Sequence, residues 1–349
     1  SPAAASVVAG VIGAGSFATM ILLPALKKTD AGLKTVVTRS GVAAARAARR
    51  FGFASCASES GVVLEDPDIN TVFILTRHDS HARLAAAALK AGKHVFVEKP
   101  LALNIEELEA VSVAHEGAAR HLLVGFNRRF APLTGVMRDL LRRRAAPLSA
   151  MVTVNAGSLA EDHWLLDPRA GGGRIIGEAV HWIDLLVSLI GHRVVRVSTV
   201  AMPHDPSAGR ARGTVSISMT FADGSVGTLH YVTAGHRKYP KERVQCFLEN
   251  QVLELDNFRR LRVYGAPHPR GSRSWRQDKG HRSEVTLFVE RIRQGGAALI
   301  PFDELRHVTL VSFAAAESGR SGVPILMEDF VTDPSGASRS SLDPSVPRA

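Results

Sequence analysis

Ser6-Val7-Val8-Ala9-Gly10-Val11-Ile12 runs directly into Gly13-Ala14-Gly15-Ser16-Phe17-Ala18, and a helix-like stretch, Thr19 to Lys28, comes next. A short run rich in Val and Ile, then G-x-G-x-x-A, then a helix is the order in which a dinucleotide-binding turn is built. Gly13 allows the tight turn, Gly15 lets the main chain approach a pyrophosphate, and Ala18 keeps the helix close to the strand. The helix N-terminus, beginning around Ser16 and Phe17, offers N–H groups and partial positive charge to the phosphates.

Working outward, the same alternation repeats. Leu33 to Thr38 reads as a second strand, Gly41 to Arg50 as a helix, Thr71 to Leu75 as a buried strand, and Ala82 to Lys90 as a helix. His94 to Val97 is another apolar run, which delivers Glu98, Lys99 and Pro100 to one point, and Leu122 to Gly125 closes the series. Such runs read as strands buried on both faces of a parallel sheet. The fold class is therefore α/β, with an N-terminal doubly wound Rossmann domain over residues 1–124. Ligands of these sheets sit beyond the strand C-termini. That edge carries Thr38, Arg39 and Ser40, then Thr76 to His81, then Glu98 and Lys99. An acid that would hold the ribose hydroxyls is expected about 20 residues past the fingerprint. Arg39 stands there between two hydroxyl residues, which suits a 2′-phosphate and favours NADP over NAD. His81 is a candidate cofactor contact or a helix cap.

Beyond residue 125 the texture changes. Ala150 to Ala156, Arg193 to Ala201, Thr214 to Phe221, Ser225 to Thr233, Val244 to Glu249 and Leu261 to Tyr264 are strand-like, and several alternate apolar with polar. A sheet with one face open to water reads this way. Ala222-Asp223-Gly224 is a hairpin turn. Ile175 to Ile190 is a helical insertion, and Ser283 to Arg293 and Asp303 to Glu317 are amphipathic helices. Residues 125–330 are expected to form an α+β domain on a mainly antiparallel open sheet, and the Ser/Pro-rich tail, 331–349, to be disordered.

Composition narrows the function. The 349 residues are 45% hydrophobic and 22% charged, ordinary globular usage that is too long for one core. No run is long and apolar enough for a membrane span, and no membrane partner is expected. Two distant cysteines fit a reducing cytoplasm. The net charge of +10 favours anionic ligands, but the Arg clusters are short and lack interleaved aromatics, so no nucleic-acid partner is expected. No Cys/His spacing suggests a metal.

GAGSFA (13–18), EKP (98–100), GFNRRF (125–130) and GGGRIIGEAVHWIDLL (171–186) occur in an order and spacing that resembles the glucose–fructose oxidoreductase / inositol dehydrogenase / MocA family. The likeness runs from about Val7 to Leu326. The resemblance implies hydride transfer between a nicotinamide, NADP or NAD, and a hydroxyl carbon of a sugar-like substrate. It implies Lys99 and His181 as the catalytic pair, with Glu98 beside Lys99 and a cis bond before Pro100. Asn127 and Arg128, with Arg129, would line the pocket mouth, and either Arg suits an anionic substrate group or an ion pair between domains. Trp164 and Trp182 suit stacking on a sugar ring or a place in the core, and Lys279-Gly280-His281 would border the cleft. A homodimer or homotetramer is implied. The 171–181 stretch most resembles the C-terminal half of two-module bacterial oxidoreductases, which implies a zinc-type dehydrogenase module before residue 1.

One position departs from the family pattern. The acid four residues before the His is here Gly177. Glu178, three residues before His181, shares its helical face and is the candidate replacement. Asp184 is placed to orient the imidazole or to face solvent. The rival functions are a glycosidase that uses bound NAD transiently and a non-catalytic protein that senses sugars or nucleotides.

Overall fold

The alternation over the first 125 residues folds into six strands: β1 (Val8–Ile12), β2 (Gly32–Val37), β3 (Ser55–Ala57), β4 (Thr71–Ile74), β5 (His94–Val97) and β6 (Leu122–Val124). In the computed structural model, which describes residues 1, 3–203, 213–265 and 271–332, they form one parallel sheet in the order β3-β2-β1-β4-β5-β6. All but the first two residues of the tail fall outside the described residues. The sheet order reverses direction between β1 and β4, which opens a crevice at the strand C-termini. Every residue of β4 and β5 is buried, the reason both read as unbroken apolar runs.

The second sheet contains β7 (Ser149–Asn155), β8 (Val194–Ala201), β9 (Val215–Phe221), β10 (Val226–Val232), β11 (Glu242–Leu248), β12 (Gln251–Asp256), β13 (Arg260–Tyr264), β14 (Ser272–Arg273) and β15 (Ile325–Leu326). Their order is β14-β13-β12-β11-β7-β10-β9-β8-β15. Only the β7–β10 pair at its centre is parallel. Alternation works as expected in β9: Val215, Ile217, Met219 and Phe221 face inward, and the polar residues between them face out. The helix Phe302–Ser321 lies against β8, and Val180–Ile190 is buried along most of its length.

Two helices differ from their sequence reading. The stretch expected as one helix from Thr19 begins as a π turn, Ala18–Leu22, and its α part ends at Leu26. Pro24 has no N–H to give the preceding turn. The insertion at Ile175 likewise starts as a π turn, Ile175–Ala179, before the α-helix Val180–Ile190. Such turns are rare and frequently occur at functional sites. Among the described residues no helix is long and apolar enough to cross a membrane.

Candidate active site

The fingerprint loop has the shape its glycines require. Gly13 sits at φ +101, and a Cβ there would lie 2.5 Å from the Leu75 carbonyl oxygen. Gly15 has nothing within 4 Å of a built Cβ, so the space before it is open. Ser16 and Phe17 are exposed at the helix start, and Ala18 is packed against the sheet. The donor set and the open approach at Gly15 fit a dinucleotide pyrophosphate. At the end of β2, Arg39 is exposed, the Thr38 hydroxyl donates to the Ser40 carbonyl (2.7 Å), and the Ser40 hydroxyl caps the helix Gly41–Phe51. Thr76 is part-buried at the end of β4 and accepts from the Ser80 hydroxyl (2.7 Å). Across the loop, the Phe17 ring meets His281 edge-on at 5.6 Å.

At the end of β5 the chain turns through a cis Lys99–Pro100 bond. Lys99 Nζ donates to the Gly177 carbonyl oxygen at 2.6 Å. Burial lowers the Lys99 pKa, against the opposing pull of Glu178 and Glu98. Burial also pushes Glu98 up to about 7. Burial, reinforced by Arg128 and Lys99, holds His181 well below its ordinary value, so its ring is neutral at physiological pH. Its Nδ1 is sealed from solvent without a partner, and Nε2 is the nitrogen left open.

Glu178 does not partner His181. Its Oε2 accepts from the Tyr231 hydroxyl (2.5 Å) and from Arg174 (2.6 Å). Burial would raise its pKa, but Tyr231, Lys99 and Arg174 outweigh that and hold it below the usual value. An acid cannot replace Gly177 in this arrangement, because a Cβ there would lie 2.4 Å from the Gly171 carbonyl oxygen. That oxygen is anchored by buried His78, whose Nδ1 lies 2.8 Å away. Burial keeps His78 neutral, with a pKa of about 2, and a ring nitrogen facing a carbonyl must be the donor. Trp164 is half-buried beside His78, with the ring centroids 4.8 Å apart.

Several expected contacts belong to the interior instead. His81 is fully buried, its ring spanning the carbonyl oxygens of Pro100 (2.8 Å) and Thr76 (3.1 Å); it fixes the cleft edge and presents no surface to a cofactor. Arg128 is not at a pocket mouth. It is buried against Glu242 (2.7 and 3.2 Å), which also takes Lys279 (2.5 Å) and the Trp182 indole (3.0 Å). Trp182 is thereby a core residue. Asn127 is buried and donates to the Lys279 carbonyl (2.7 Å). Arg129 pairs with Asp184 and with Glu304 (2.7 Å), so Asp184 neither orients His181 nor faces solvent. Tyr231, Arg174 and His78 are the site residues that sequence reasoning missed. Alternation places Tyr231 on the inner face of β10, but nothing in the sequence ties it to Glu178, 53 positions earlier.

Residues 7–126 match the family described as "Oxidoreductase family, NAD-binding Rossmann fold", and residues 146–266 match the "GFO/IDH/MocA C-terminal domain". The chain belongs to the Gfo/Idh/MocA family. It is an NAD(P)-dependent oxidoreductase. It is similar to levoglucosan dehydrogenase of Pseudarthrobacter phenanthrenivorans, 26% identical over 82% of this chain and 87% of that protein. It is also similar to myo-inositol 2-dehydrogenase of Thermotoga maritima, 24% identical over 77% of this chain and 83% of that one. Among solved structures, levoglucosan dehydrogenase in complex with NADH and levoglucosan shares the fold, with a TM-score of 0.79 at 23% identity, over 92% of this chain and 99% of that one.

Proposed function

We propose that the chain moves a hydride between NAD(P) and a hydroxyl-bearing carbon of a sugar-like substrate, with Lys99 and His181 handling the proton and Glu178 holding a neighbouring hydroxyl. The observation that carries this is the approach of Lys99 to Gly177, which sets the end of β5 against the turn bearing Glu178 and His181. The fingerprint loop, from Gly13 to Ala18, holds the dinucleotide. A bound nicotinamide supplies the hydride acceptor or donor. A neutral His181 accepts the hydroxyl proton at Nε2, the open nitrogen. Lys99, with a lowered pKa, donates a hydrogen bond to the reacting oxygen or takes its proton. Trp164 forms one wall.

The test is formation of reduced nicotinamide when the purified chain meets NAD⁺ or NADP⁺ and a panel of inositols, pyranoses and anhydrosugars. Turnover of a panel member, lost in Lys99→Met, is the expected result. Cofactor that never dissociates, with glycoside cleavage and no net reduction, would indicate the glycosidase rival, and binding without chemistry the sensing protein.

Arg39 supports a preference for NADP. It is exposed, it makes no ion pair with a described carboxylate, and no acid accompanies it at the end of β2. Fluorescence titration is expected to show tighter NADP binding, weakened about tenfold or more in Arg39→Ala. The outer face of the second sheet supports self-association, since Val200, Val226, Phe247 and Tyr264 are exposed on it. Sedimentation is expected to give a dimer or tetramer.

A further inference from the structure

We propose that Tyr231 and Arg174 are positioning residues that fix Glu178 as the carboxylate acceptor of a substrate hydroxyl, in the place an acid at position 177 cannot take. The inference rests on the reading of Lys99, Glu178 and His181 as one cleft.

The geometry is asymmetric in a useful way. Tyr231 is 0% exposed, and its hydroxyl has Glu178 Oε2 at 2.5 Å and Arg174 at 3.1 Å. Arg174 is itself buried; it donates to the same Oε2 and, through its other terminal nitrogen, to the Gly157 carbonyl at 2.9 Å. A Cβ on Gly213 would come within 2.4 Å of the Arg174 side chain, so the stem is closed in. All of this holds one oxygen of Glu178. The other, Oε1, makes no hydrogen bond to a described residue and is not among the sealed, unpartnered atoms, and the side chain as a whole is 27% exposed. Oε1 is therefore the free acceptor, and Lys99 is near enough for its charge to favour the Glu178 carboxylate.

The π turn explains how this was reached. Ile175–Ala179 carries one extra residue per turn relative to an α-helix, and Glu178 projects toward Tyr231 and Arg174 instead of lying against His181. An acceptor-only carboxylate selects hydroxyl donors, and a substrate hydroxyl next to the reacting carbon satisfies it. The groups that face Glu178 are Lys99 from the end of β5, Arg174 from the preceding turn and Tyr231 from β10. Burial keeps the Tyr231 phenol protonated far above neutrality, so it remains a donor.

The test compares Tyr231→Phe, Glu178→Gln and the double variant on the best substrate of the panel. Tyr231→Phe is expected to raise KM about tenfold with little change in kcat. It should also move the acid limb of kcat/KM upward by about one pH unit, because the carboxylate loses a stabilising donor. Glu178→Gln should abolish that limb, and Tyr231→Phe should add nothing in its background. Arg174→Lys should retain more activity than Arg174→Met. An unmoved limb, or equal losses in both backgrounds, overturns the proposal. If no panel member turns over, the dehydrogenase reading fails, and the inference is still decided by ¹³C NMR of Glu-labelled full-length chain. There the Glu178 signal, assigned with Glu178→Gln, must titrate at higher pH in Tyr231→Phe, and an unchanged midpoint overturns it.

Discussion

Lys99 Nζ and the Gly177 carbonyl oxygen meet at 2.6 Å, joining residues 78 positions apart in sequence across the cleft. An ammonium has three donors, so this one bond aims the side chain and leaves two for a reacting oxygen. Lys99→Met is expected to lower kcat by about 10²- to 10⁴-fold while leaving the affinity for the reduced cofactor unchanged. Steady-state kinetics beside a fluorescence titration with NADPH and NADH checks both, and a matching fall in cofactor affinity would assign Lys99 to cofactor binding instead.

Gly177 has no room for a side chain. Gly177→Ala should destabilise the protein by about 1–3 kcal/mol, the usual scale of overpacking, because its Cβ meets main chain held by His78. Urea denaturation measures this. A neutral result would show that the 165–173 loop yields, and Gly177→Asp would then be worth assaying for a gain in turnover.

Glu242 gathers Arg128, Lys279 and Trp182 around one fully buried carboxylate. Burial would raise its pKa, but the two cations win and hold it at about 2. Glu242→Gln leaves both cations uncompensated and is expected to cost about 3–5 kcal/mol. The sign with pH follows from the depressed value. The stabilisation is present above the ordinary 4.5 and is lost as pH falls toward about 2, so the variant should lack this part of the acid-induced loss.

Glu284 behaves in the opposite sense. Both its carboxyl oxygens are buried without a partner, and burial raises its pKa well above 4.5, with Glu98 and Asp184 adding to the shift. The folded state favours the protonated form, so stability is full below 4.5 and declines as pH rises toward the raised value. Glu284→Gln should flatten that decline. A melting curve measured against pH for both proteins reads it directly, and parallel curves would mean the carboxyl finds a donor in solution.

What the sequence made legible was what neighbours in the chain decide. The fingerprint loop, the strand ending at Glu98-Lys99-Pro100 and the inward face of β9 all depend on residues a few positions apart. Pairings over long separations were not legible. Arg128 and Glu242 lie 114 positions apart, so the sequence left both a substrate anion and an ion pair open for that guanidinium, and the partner, Glu242, is visible only in the fold. The strand β12 was missed because Glu254 interrupts its apolar run; in the sheet that charge is answered across the strands by Arg262. The π turn at Ile175 was invisible for a different reason. Its sequence is compatible with an ordinary helix, and the bond from Tyr231 that helps to aim Glu178 comes from a strand 53 positions away.

The contacts of His78 and Lys99, both at the ligand edge of the first sheet, are made with main-chain oxygens of the second half, those of Gly171 and Gly177. Neither side chain could be left in place and dry if the other half were to melt away. The two halves therefore share one melting event: calorimetry should record a single peak whose shape matches a two-state transition. A chain cut after Val124 would present the buried corner of Glu98 and Lys99 to water, and this active centre would exist only in a molecule that folds all at once.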